Sequence, residues 1–160
     1  MKKGDFEVSL SNPALAGGIE AEVYEVGGAA PSSIIRADQD WGVKIKWYLE
    51  GSLVPFICGS WCITLYFESM GSPDGPDHNL DEFDLHSKYE VKLDPCKTPD
   101  ECGRYWYDYD FKVPRHTVKP GHCGRPYLLV TAITYKTACD RPGPMAGFVQ
   151  GPMIQFYQGK

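Results

Sequence analysis

His116 and His122 stand six residues apart around Lys119-Pro120-Gly121, with Cys123 directly after the second. Imidazole and thiolate are the donors that a borderline metal such as zinc accepts. The run 72–84 supplies candidates for the remaining ligands in Asp74, Asp77 and His78. With Asp38 and Asp40 from a neighbouring loop, it also offers the hard oxygens that calcium collects, roughly six to eight at a time. The run lacks the order of an EF-hand, and Asp mixed with Pro and Gly is also how an exposed turn is written. A solvated acidic turn and surface imidazoles are therefore the plain alternative. Cys123 with His116 or His122 as base has the residue types of a thiol hydrolase, but no orienting third residue or oxyanion-hole motif can be placed beside it. No Gly-rich phosphate loop, nucleophile elbow or H-E-x-x-H occurs, so the reading leans away from an enzyme.

The chain has six cysteines. Cys96 and Cys102 flank Lys-Thr-Pro-Asp-Glu, and a hairpin of that size can bring two Cα atoms within the roughly 4.4 to 6.8 Å a disulfide needs. That pair is the expected bridge. Cys58 or Cys62 could reach Cys139, whereas Cys123 and Cys139 lie on either side of one strand and should not bond. Free thiols in a reducing compartment and a zinc site are the alternatives, although the spacing departs from C-x2-C. The start of the chain has no apolar run behind its two lysines, so no signal peptide is expected in this copy. The compartment stays open, and cysteines in loops suit an oxidising one.

A third constellation is aromatic. Tyr105, Tyr107, Tyr109 and Phe111 alternate with Trp106, Asp108 and Asp110. If the first set is core, an outward Trp106 stands beside two carboxylates, and an amphipathic ring on a sheet face suits a protein or carbohydrate partner.

These residues need elements to hold them. With 17 Gly and 13 Pro, windows of three helical turns are interrupted, while period-two alternation recurs. It marks strands over 19–26, 41–49, 61–68, 86–93, 105–111, 127–135 and 147–157, with 1–18 as an arm or an edge strand at 6–10. The segment 127–135 is apolar on both faces, as a central strand is. The expected fold is all-β: a two-sheet antiparallel β-sandwich, immunoglobulin-like or a related Greek key, with seven or eight strands, in a single domain over 1–160. Strands that run up and down place loops 50–60, 95–104 and 138–146 at one end, with most cysteines. Loops 27–40, 70–85 and 114–125 then fall at the other, with the histidines.

Composition narrows the function classes. The 42% hydrophobic and 23% charged residues describe a globular chain, and a formal charge of -5 gives no basic field for nucleic acid. No apolar run is long enough for a spanning helix. The leading reading is a noncatalytic binding module for a protein or a carbohydrate, working through end loops or the face bearing Trp106, Asp108 and Asp110, with no cofactor unless calcium or zinc. The rivals are a metal-dependent or thiol enzyme centred on His116, His122 and Cys123, and a homo-oligomeric structural subunit joined through an edge strand.

Overall fold

The segment Trp41–Glu50 shows how this sequence makes its layers. Trp41, Val43, Ile45, Trp47 and Leu49 are buried, while Lys44 and Lys46 are exposed, the period of a strand with one wet face. In the computed structural model, which describes residues 1–9, 14–27, 33–69, 78–79, 90–94, 97–118 and 126–159, this pattern repeats in two facing sheets.

In chain order the strands are β1 (Lys2–Lys3), β2 (Asp5–Val8), β3 (Ala16–Glu25), β4 (Ile34–Arg36), β5 (Trp41–Glu50), β6 (Gly59–Ser69), β7 (His78–Asn79), β8 (Glu90–Lys92), β9 (Tyr105–Val113), β10 (Pro126–Thr137) and β11 (Pro142–Tyr157). One sheet has the order β1-β3-β5-β9. The other runs β2-β11-β10-β6-β7, with β4 on β11 and β8 on β6. Among the described residues every pairing is antiparallel except β4 with β11. This is the expected two-sheet antiparallel β-sandwich. Among the described residues six strands span it, and the short β1, β2, β4, β7 and β8 patch its edges. Among the described residues no helix is long and apolar enough to cross a membrane.

The core between the sheets is aromatic. Trp47 from the smaller sheet meets Trp61 from the larger edge to face at 6.2 Å, and Trp41 stacks on Phe67 at 5.5 Å. Tyr107 stacks on Trp47 at 5.9 Å, and its burial pushes the phenol pKa up to about 12. On β10, Tyr127, Leu129, Ile133 and Tyr135 point inward with Thr131, whose hydroxyl is buried and has no hydrogen-bond partner.

Edges are where the expectations shift. The edge strand foreseen at 6–10 is Asp5–Val8, and β3 begins at Ala16, running through Gly17-Gly18. β4 forms inside the stretch read as loop 27–40. The strand foreseen at 86–93 contributes Glu90–Lys92, its residues 86–89 lying outside the described ones. β11 carries one extra residue against β10 between Gln150 and Met153, around Gly151-Pro152. That break separates the length paired with β2 from the length paired with β4.

The sorting of loops holds among the described residues. Glu25 opposite Trp41, Trp41 opposite Val113 and Ser69 opposite Tyr127 mark the end with His116; Ala16 opposite Glu50, Leu49 opposite Tyr105 and Gly59 opposite Thr137 mark the other. Cys58, Cys102 and Cys139 lie at that second end, all exposed, with Cys62 near it. The expected Cys96–Cys102 bridge is not formed: Cys102 is a free thiol in an Asp100-stapled turn, and Cys96 lies outside the described residues. Cys58, Cys62 and Cys139 are free as well.

Replacing Thr131 by Val keeps its shape and removes a buried hydroxyl that has no partner. The variant should be more stable than the wild type by about 1 kcal/mol in urea denaturation at unchanged slope, whereas a satisfied hydroxyl would make it less stable.

Candidate functional site

The outer face of the four-stranded sheet collects the side chains that alternation turns away from the core. Its register sets them in rows. Lys3, Glu20, Lys46 and Asp108 lie side by side across β1, β3, β5 and β9, and Glu22, Lys44 and Asp110 form the next row. Acid and base alternate in each, so every charge has an opposite neighbour across the strand.

Two further rows pair an aromatic ring with a glycine. Tyr48 lies over Gly18, where a Cβ would come within 2.5 Å of its ring, and Tyr24 lies over Gly42 in the same way. A ring covering a bare backbone recovers the packing that a glycine in a strand forfeits. Tyr24 donates its hydroxyl hydrogen bond to Asp110, while Lys44 sits 5.0 Å from the Tyr24 ring centre. Burial first, then the bond to Asp110 and that carboxylate's charge, hold the Tyr24 phenol well above its ordinary pKa.

Beside Tyr48 stands Trp106, at 4.9 Å between ring centroids and tilted by 53°. Its indole N–H donates to Asp100 at 2.8 Å. The other Asp100 oxygen accepts from the backbone N–H of Cys102 and of Arg104, each at 2.9 Å. These bonds, the one from Arg104 foremost, hold the Asp100 carboxyl below the usual aspartate range. Arg104 lays its guanidinium 4.3 Å from the Tyr48 ring centre and donates to Glu50 at 3.3 Å, and Lys46 caps Trp106 at 5.6 Å. A groove of about 320 Å³ runs beside this group, lined by Gly17, Gly18, Glu20, Tyr48, Arg104 and Trp106 among others. A second hollow of about 450 Å³ continues over Lys44, Lys46, Asp108 and Asp110.

Trp106, Asp108 and Asp110 thus share the outer face as the alternation implied, with Trp106 half-buried and both carboxylates exposed. The sequence reading passed over Tyr48, Arg104, Asp100 and the Gly17-Gly18 pair. Tyr48 was findable, since it occupies the wet register of a strand whose dry register was plain; the staple by Asp100 depends on a turn that no pattern announces.

The other end gives less. His116 is exposed, with φ of 63° and its backbone N–H on the Ala37 carbonyl at 2.8 Å. His122, Cys123, Asp74 and Asp77 lie outside the described residues. Among the described residues no three His, Cys, Asp or Glu side chains gather as a metal would need. Asp38 and Asp40, considered for calcium, are instead paired with Arg36 at 2.8 Å and Arg115 at 3.1 Å, which lowers both carboxyl pKa values.

No family model matches the chain, and no curated protein does. Among solved structures it is similar to the major pilin subunit of Bacillus cereus, BcpA, with a TM-score of 0.44 and 11% sequence identity. That match covers 99% of this chain and 48% of the pilin chain, so the chain spans about half of the pilin's length.

Asp100 gives the site a pH signature. A carboxyl held below its ordinary 3.8 stabilises the fold fully above that value and loses the contribution as pH falls through the lowered one. Asp100→Ala should therefore unfold at a lower temperature than wild type near neutral pH, and the gap should narrow as pH falls below the ordinary aspartate value. Calorimetry from neutral to acid pH checks this; a constant gap would remove the role of the charged staple.

Proposed function

We propose that the chain is a noncatalytic binding module that recognises a protein partner through the outer face of its four-stranded sheet, with Trp106 at the centre. The observation that carries this reading is the cluster of Trp106, Tyr48 and Arg104, held by Asp100 and Glu50 beside an open groove. Trp, Tyr and Arg are the side chains that most often dominate binding energy at protein interfaces, because each buries a large area and keeps a polar tip. Fixing them beforehand reduces the ordering cost that association must offset.

A protein is favoured over a carbohydrate by what already covers the rings. A sugar stacks on an open aromatic face, but Tyr48 is capped by Arg104 and Trp106 by Lys46. A protein surface can meet these cations with carboxylates or carbonyls and leave the stack intact. Of the enzyme reading centred on His116, His122 and Cys123, only His116 lies among the described residues.

The test is quantitative affinity capture with wild-type, Trp106→Ala and Gln150→Ala baits, Gln150 being exposed on the opposite sheet, alongside a glycan panel. A specific protein partner should be retained by wild type and by Gln150→Ala and weakened about tenfold or more by Trp106→Ala, as loss of a central interface tryptophan costs ~2 kcal/mol or more. Capture indifferent to Trp106, or glycan binding that depends on it, would displace this reading.

A further inference from the structure

The first eight residues form a strap across the open side of the sandwich. β1 pairs with β3 in one sheet through Lys2 opposite Ala21 and Lys3 opposite Glu20; β2 pairs with β11 in the other through Asp5 to Val8 opposite Phe148 to Met145. The change of sheet occurs at Gly4, whose N–H donates to the Ile19 carbonyl at 2.9 Å. A Cβ there would overlap the Phe148 carbonyl and stand 2.7 Å from the Val149 side chain, so the crossing admits glycine alone.

Two residues on, Phe6 enters a socket that both sheets build. Its ring meets Trp61 edge to face at 5.9 Å. Gly17 on β3 and Gly147 on β11 leave the space it fills, since a Cβ on Gly17 would lie 2.6 Å from the ring and one on Gly147 3.0 Å from it. The rim beside the crossing carries Glu20 and Glu22 from β3, against Lys2 and Lys3 of the strap. The slot thus reads an extended peptide through main-chain pairing on both sides, a glycine at the crossing, an aromatic ring two residues later and basic residues before it.

We propose that this slot is a peptide-binding site specific for the segment 1–8, and that the segment of a second copy of this chain can occupy it. The proposal is independent of the reading of Trp106. The chain's own sequence satisfies every constraint of the slot, which is the argument for a second copy rather than an unrelated peptide. Contacts are the same whichever copy supplies the strap, as in any exchange of an identical element. The resident strap is held by a few ladder pairs and one half-buried ring, and its advantage is attachment, equivalent to a local concentration of roughly millimolar. Exchange is thus visible when attachment is taken out of the comparison.

Two full-length variants do this. Gly4→Val spoils the strap and leaves the slot; Gly147→Val obstructs the Phe6 socket and leaves the strap. By light scattering each alone should be monomeric, and their mixture should give a one-to-one complex. Adding Phe6→Ala to the Gly147→Val chain should weaken that complex roughly tenfold or more, as an anchor residue does. A mixture that stays monomeric overturns the proposal. If Gly4→Val is unfolded by itself, a synthetic peptide of residues 1–9 should restore its native circular dichroism; failure to do so would equally overturn it.

Discussion

The contact on which the structure depends is the meeting of the buried tryptophans across the sandwich. Trp47 leans on Trp61, and Trp41 stacks on Phe67, so each end of the core is closed by rings from opposite sheets. Such rings bury ~150 to 250 Å² apiece and leave little freedom in how far apart or at what rotation the sheets sit. The same strand that contributes Trp41 and Trp47 inward carries Lys44, Lys46 and Tyr48 outward. Fixing the inner register therefore fixes the outer one, since a slip by one residue would exchange the faces entirely. Trp47 and Trp61 leave their indole N–H groups without partners, a cost accepted for shape and area in the core.

From that frame the outer face follows. Tyr48 can lie down over β3 only because Gly18 stands opposite it, and Arg104 can stack on Tyr48 only because the ring is held flat. Asp100 closes the turn before β9 and takes the Trp106 indole, so the loop and the platform share one anchor. Each part restricts the next, and a patch of exposed residues becomes a surface with one shape.

Much of this was written in plain alternation. The dry faces of β5, β6 and β9 could be read because a strand with one buried side has no other way to distribute Trp, Ile and Lys, whereas 127–135, read as apolar on both faces, gave no such face for β10. Orientation of Trp106, Asp108 and Asp110 came with it. What escaped was whatever depends on a second segment. β4 gains its place only by pairing with the far half of β11, and nothing in Ile34-Ile35-Arg36 names that partner. Gly17-Gly18 belongs to the stretch 1–18 read as an arm or edge strand, yet here it is the low ground in a strand that two aromatic rings, Tyr48 and Phe6, cover from either side. The Cys96–Cys102 bridge was inferred from loop length alone, and loop length does not aim two Cβ atoms at each other.

The charges on the outer face show what kind of recognition it can support. Lys3, Lys44, Lys46, Arg104 and Lys112 are matched there by Glu20, Glu22, Glu50, Asp108 and Asp110, interleaved by the ladder register. Opposite charges one strand apart cancel at distances beyond the Debye length, about 8 Å at physiological ionic strength. The chain's net charge of -5 is therefore carried by other residues, and this face projects little long-range field. A partner bound at this face, as proposed, would be neither drawn in nor repelled from afar. On the proposed reading, discrimination would come at contact, where Arg104, Lys46, Asp108 and Asp110 present charged groups around Trp106, and where a misplaced carboxylate or ammonium on a partner would find a like charge across the next strand.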